Sequence, residues 1–197
     1  MRKNVFLNVL RTAIIALLMI VSSIEIFGQE RGQGLKTAIV NYKYTMNSNA
    51  MEMVMYYADY GNYQCFKYDV EGIPYATIVT PDSVMEINYA VQGYRKYAKS
   101  HLDINFNQLT PSIIKKFDIN SPGTVEFMDK SCTIFNAKFK NEEILEMMVW
   151  LFQGVELRRQ ITYKDQTKTN LLATYLEENP EISEQTFKVP DGFERYK

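Results

Sequence analysis

One histidine, His101, is the only imidazole this chain can bring to chemistry, and it stands in Ser100-His101-Leu102-Asp103. Asp103 has the spacing to orient it as a general base, but no nucleophile motif goes with the pair. Neither Ser-x-x-Lys nor Gly-x-Ser-x-Gly occurs anywhere in the sequence. The plain reading of His101 is a solvated loop residue. A histidine-based zinc site needs more ligands than one imidazole supplies. The acidic pair Glu142-Glu143 follows Asn141 and reads as a solvated turn. No catalytic residue, metal or cofactor is assigned on these grounds, and the chain is read as a non-enzymatic protein.

Two other clusters have chemical potential. Met51-Glu52-Met53-Val54-Met55 sets three thioethers on one strand face, in steps of about 6.8 Å. Thioethers suit Cu(I), but a copper site needs sulfurs that converge on one point, and a straight strand keeps them apart. The simpler reading is that Met51, Met53 and Met55 line an apolar face, where methionine adapts to irregular space. Cys65 and Cys132 are the only cysteines. Export would permit a disulfide between them, and burial as two separate thiols is the alternative; the residues leave both open. No Cys-x-x-Cys occurs, which argues against thioredoxin-type chemistry. Gly32-Gln33-Gly34 has no helix after it and makes no phosphate loop. Asp82-Ser83-Val84 resembles a short O-glycosylation acceptor of some Gram-negative envelopes.

The elements that would carry these residues begin after an export signal. Arg2 and Lys3 precede the apolar run Ala13–Val21, and Ser22-Ser23 follow, the order of a secretory signal. The run is shorter than the ~20 residues that span a bilayer. Cleavage after Ser23 or after Gly28 both fit. We therefore divide the chain into a signal peptide, 1–28, and a single domain, 29–197. A domain of roughly 170 residues buries about 70% of its extended surface and needs no metal or disulfide to hold it. Charge is balanced, 22 basic against 23 acidic residues, so there is no nucleic-acid footprint.

Alternation of period two runs through most of the domain. Ala38, Val40, Tyr42, Tyr44 and Met46 share one face. Met51, Met53, Met55 and Tyr57 follow after the turn Asn47-Ser48-Asn49. Phe66, Tyr68 and Val70 come next, then Tyr75–Thr80, then Met85, Ile87 and Tyr89. Thr110-Pro111 reads as an N-cap with proline in the first turn, predicting one short helix to about Asp118. Strands resume at Thr124–Met128 and Ser131–Phe139. Ile144–Phe152 and Val155–Tyr163 are split by Gln153-Gly154, and Thr169–Glu177 follows. Turn signals every 8–12 residues predict an all-β fold of about ten antiparallel strands.

The C-terminal third carries a family resemblance. Trp150-Leu151-Phe152-Gln153-Gly154-Val155-Glu156-Leu157 resembles the aromatic strand, glycine turn and re-entry of periplasmic outer-membrane lipoprotein carrier/receptor-like (Lol-type) proteins. Phe187-Lys188-Val189-Pro190-Asp191-Gly192-Phe193 is similar to the closing motif of that superfamily, and Ser131-Cys132-Thr133-Ile134-Phe135 to one of its strands. The resemblance implies a mainly β fold: a strongly curved antiparallel half-barrel with one or more short helices on its concave side. It also implies an apolar cavity for an acyl chain or similar ligand. Arg158 and Arg159 fall in a strand comparable to the one that bears the carriers' gating arginine, and the residues do not choose between them.

The expected function is therefore an exported envelope protein, in the periplasm or at the outer-membrane periphery of a Gram-negative bacterium. It would bind a lipid, a lipoprotein acyl chain or another apolar ligand. The alternative is a protein–protein interaction module with a filled core. The cavity candidates are Tyr42, Tyr44, Met51, Met53, Met55, Tyr57, Phe66, Tyr68, Met85 and Tyr89.

Overall fold

The computed structural model describes residues 34–196, except 48, 99–103, 105, 107, 108, 141 and 142. The expected signal peptide, Gly32, Gln33, His101, Asp103, Asn141 and Glu142 lie outside the described residues. The first meander comprises β1 (Thr37–Met46), β2 (Asn49–Ala58), β3 (Tyr63–Val70), β4 (Ile73–Val79), β5 (Ser83–Asn88) and β6 (Gly93–Ala98). The helix α1 (Pro111–Lys116) follows. The second meander is β7 (Asn120–Phe127), β8 (Lys130–Lys138), β9 (Ile144–Phe152), β10 (Val155–Tyr163) and β11 (Lys168–Glu178). A final strand, β12 (Glu194–Arg195), comes back to the first meander.

Among the described residues twelve strands form one open sheet in the order β12-β6-β5-β4-β3-β2-β1-β11-β10-β9-β8-β7. It is a mainly β, curved half-barrel, as the strand count and order lead one to expect. The two strands beyond the expected ten are β6 and β12. Each meander is built from neighbours in sequence. The one long-range joint between them is β1 with β11, which runs from Ala38↔Glu178 to Met46↔Thr169.

Local chemistry explains the turns. Gln153 (φ 46) and Gly154 (φ 85) place both central residues of the β9–β10 hairpin at positive φ, the turn whose twist matches its strands. Glu71 (φ 54) and Gly72 (φ 81) do the same between β3 and β4. At α1 the Thr110 hydroxyl accepts from the Ile113 amide, and Pro111 stands in the first turn, as the sequence predicts.

Each sheet face is covered by something else. On the inner face, Ile104, Phe106, Leu109, Ile113, Phe117 and Ile119 join the large core cluster. Phe106 lies 5.5 Å from Phe135, and Phe117 lies 5.1 Å from Phe139, centroid to centroid. On the outer face, the C-terminal segment crosses the first meander. Phe187, Val189 and Phe193 pack there with Cys65, Ala76, Ile78 and Ile87. Tyr63 meets Phe187 at 6.0 Å, and Tyr89 meets Phe193 edge-on at 5.5 Å.

The two cysteines are free and buried. Cys65 is on β3 and Cys132 on β8, with β2, β1, β11, β10 and β9 between them, and they belong to different clusters. No bridge joins them, because strand order separates them well beyond disulfide reach. Ser83 is also buried, beside the Thr80 hydroxyl at 3.2 Å, so Asp82-Ser83-Val84 presents no accessible acceptor.

Two outcomes follow from how the C-terminal segment is held. A Cβ at Gly93 would stand 2.6 Å from the Tyr196 ring. Gly93→Ala is expected to lift Tyr196 and β12 at a cost of roughly 1–3 kcal/mol in chemical denaturation, and Tyr196→Ala in the same chain should recover part of it. Burial pushes the Cys65 thiol up to about 11. Folded protein should therefore leave Cys65 unreactive to Ellman's reagent at pH 8, whereas Phe193→Ala should expose it and speed the reaction.

Candidate functional site

The inner face is where the strands bring most of the candidate residues together. Register sets the arrangement: Tyr42 pairs with Met53 and Tyr44 with Met51 across β1–β2, and Met53 pairs with Tyr68 and Met55 with Phe66 across β2–β3. Tyr42, Tyr44, Met51, Met53, Met55, Tyr57, Phe66 and Tyr68 all join the same cluster. Apart from the partly buried Met51, each is 8% exposed or less. Burial raises the phenols of Tyr42, Tyr44 and Tyr57 well above their ordinary value. These are buried phenols that stay protonated, not acids poised to titrate at neutral pH.

Met85 and Tyr89 do not belong with them. They pack on the outer face under the C-terminal strap. The register Tyr75↔Asn88, Thr77↔Glu86 and Ile78↔Met85 turns Val84, Glu86 and Asn88 inward and Met85 and Ile87 outward. Tyr89 follows in a single helical turn after β5. Inside, β5 contributes polar groups. The Asn88 amide donates to Tyr75 Oη at 3.2 Å, and Tyr97 Oη donates to Glu86 at 3.4 Å.

The strongest electrostatic feature was not among the candidates. Arg159 is 2% exposed on the inner face and is ion-paired with Glu156 through Nη2 and Oε2. Tyr42 Oη donates to the Glu156 carbonyl and lies 4.0 Å from Met55 Sδ. Glu156 Oε1 is buried without a hydrogen bond. Burial holds the Glu156 carboxyl above its ordinary value, and Arg159 opposes that rise. Farther along the same face, the Thr169 hydroxyl lies beside the phenols of Tyr44 and Tyr163. Of the two arginines, Arg159 faces in. Arg158 faces out, with its guanidinium 4.4 Å from the Trp150 ring centroid.

A sequence signal for Arg159 existed: it shares parity with Val155, Leu157 and Ile161, which are all buried. Glu156 has the opposite parity. It reaches Arg159 because the β9–β10 register shifts between Glu156 and Arg158. Among the described residues no group of three or more His, Cys, Asp or Glu side chains is placed to hold a metal ion. Met51, Met53 and Met55 remain strung along an extended β2, so their sulfurs do not converge.

Fold and inner face together define an open, curved β-sheet scaffold whose concavity is filled by its own side chains. No family model and no curated protein matches the chain. Solved structures do. An uncharacterized conserved protein from Thermus thermophilus superposes with a TM-score of 0.59 at 9% identity, covering 94% of this chain and 99% of that one. The Pseudomonas aeruginosa MucA/MucB complex gives 0.52 at 8% identity, covering 78% of this chain and 56% of that one, so this chain spans about half of its length. An outer membrane lipoprotein-sorting protein domain from Vibrio parahaemolyticus gives 0.42 at 12% identity, covering 80% of this chain and 91% of that one. At such identities the first two likenesses establish a shared fold. Among the described residues no helix is long and apolar enough to cross a membrane.

Replacing Arg159 tests the interior. Arg159→Leu strands the Glu156 carboxylate in the core and should cost about 3–5 kcal/mol at neutral pH. A carboxyl whose folded value is raised stabilises the fold when protonated; that contribution is full at acid pH and is lost as pH rises through the folded value. The variant should thus regain stability on acidification. Arg159→Leu with Glu156→Gln should recover part of the loss and flatten the pH dependence. Urea denaturation at several pH values measures both.

Proposed function

We propose that this chain is a non-enzymatic, exported binding protein of the cell envelope that engages a polypeptide partner through its outer surfaces and sheet edges. The observation that carries this reading is the burial of the inner face. Tyr42, Tyr44, Met53, Met55, Tyr57, Phe66 and Tyr68 are covered by the protein itself, and Ile113 and Phe117 pack on the same cluster. Side chains sealed in this way stabilise the fold; they do not present a ready surface for a ligand. The likeness to MucB, solved in complex with MucA, supports the choice of a polypeptide, because it sets a similar sheet in a protein that binds another protein.

A second reading is favoured by one specific feature. Met51, Met53 and Met55 are adaptable side chains on the inner face, and an acyl chain could be accommodated there if Ile113 and Phe117 gave up the space they hold. The two readings differ in what inner-face substitutions do. With a polypeptide partner, Met53→Ala should lower stability by about 2–5 kcal/mol and leave binding by the folded fraction unchanged. With an acyl ligand, the same change should lower ligand retention.

Native mass spectrometry of protein purified from its own periplasm is the direct test. The proposal expects polypeptide adducts or bare protein, with no lipid in the organic extract. A stoichiometric lipid adduct that Met53→Ala diminishes would overturn it in favour of the acyl-chain reading.

A further inference from the structure

We propose that the outer edge of β6, from Arg95 to Ala98, is a strand-addition site for an acidic, extended segment of a partner polypeptide. The proposal rests on the reading of this chain as a protein-binding module and identifies the surface and the partner's chemistry.

An open sheet has two edges, and they are not equivalent. The β7 edge is spoiled for pairing. Pro122 lacks an amide hydrogen, Gly123 lies at φ +135, and the β7–β8 register shifts between Asn120 and Gly123. These are the usual guards of an edge strand. The β6 edge has no proline and no register shift against β5. Among the described residues its outer side pairs only with β12, in parallel, at Glu194↔Gly93 and Arg195↔Tyr94.

The direction of the free groups follows from those bonds. The Gln92 carbonyl accepts from the Glu194 amide, and the Tyr94 carbonyl accepts from the Tyr196 amide, each at 3.0 Å. Backbone groups alternate sides along a strand, so if Gln92 and Tyr94 point outward, Lys96 and Ala98 do too. The ladder that β12 begins therefore has further donors and acceptors in line with it.

Charge selects the occupant. Arg95 and Lys96 are both exposed on β6. A second copy pairing antiparallel through this edge would bring these cations against their own equivalents, which is unfavourable. An acidic strand would place carboxylates beside them and gain both the backbone ladder and the ion pairs.

The test uses the full exported chain and a fluorescent peptide of about ten residues, long enough for one strand, that carries Glu-Glu pairs separated by Val and Thr so that both faces are acidic. A counterpart in which Lys replaces Glu is the control. Fluorescence anisotropy at low salt should show binding of the acidic peptide alone. Lys96→Pro removes one outward amide without touching the β5 ladder, and Arg95→Glu/Lys96→Glu inverts the charge. Each should weaken binding by about tenfold or more. Lys168→Glu, an exposed change on β11, should not. Equal binding by all variants, equal binding of the Lys peptide, or no binding of the acidic peptide would overturn the edge assignment. Photo-cross-linking in the intact envelope separates the two proposals. A polypeptide adduct that survives Lys96→Pro removes this edge but keeps a protein partner, whereas no polypeptide adduct on the wild-type chain removes that reading as well.

Discussion

The pairing of β1 with β11 is the interaction on which the rest of the structure depends. Without it there are two meanders, each with an exposed edge and half an interior. With it, Tyr42 and Tyr44 of the first meander line up with Ala173 and Leu171 of the second. That alignment carries the inner face across the joint, and it lets Tyr42 donate to the Glu156 carbonyl two strands away. The pairing closes a loop of more than a hundred residues, so it carries a larger loop-closure entropy than any of the local hairpins. The register also shifts once, between Asn41 and Tyr42, which adds local twist where a flat sheet must curve.

Curvature then leaves two faces to be covered, and the chain covers them with different devices. The connection between the meanders supplies Ile104, Leu109, Ile113 and Phe117 to the concave side. The C-terminal segment supplies Phe187, Val189 and Phe193 to the convex side of the first meander. Its closing stretch, Phe187 to Phe193, is mostly apolar at alternate positions for a simple physical reason. It covers apolar side chains that a one-sided sheet would leave in water. The buried Arg159–Glu156 pair sits inside the region so enclosed. Low local dielectric makes such a pair costly to break and a strong constraint on how the surrounding side chains settle.

With both faces largely committed, recognition has the rims, the exposed face of the second meander and the sheet edges to work with. The fold thus offers surfaces and edges where the residues alone suggest a cavity. The methionines of β2 show the shift most clearly. As a sequence they suggest ligation or a greasy pocket. In the fold they are interior side chains, and Met55 Sδ stands near the Tyr42 hydroxyl.

Much of this was legible from residues alone, and the rest was not, for definable reasons. Alternation located most of the strands, Thr110-Pro111 located the helix, and Gln153-Gly154 located a hairpin, because each is decided by neighbours within a few positions. The inward set from Tyr42 to Tyr68 was readable because those strands have one apolar and one more polar face. Met85 and Tyr89 were misplaced because β5 is buried on both sides, so hydrophobicity there does not tell inside from outside. Parity with Val155, Leu157 and Ile161 would have chosen Arg159 over Arg158 as the inward arginine, whereas Glu156 depended on a bulge that parity cannot foresee. The cysteines could be assigned as paired or free only once strand order put five strands between them. The sequence by itself determined the local elements and their alternation. The tertiary structure decided which face was inner, which edge remained open and which charges met, because those depend on pairings between residues far apart in the chain.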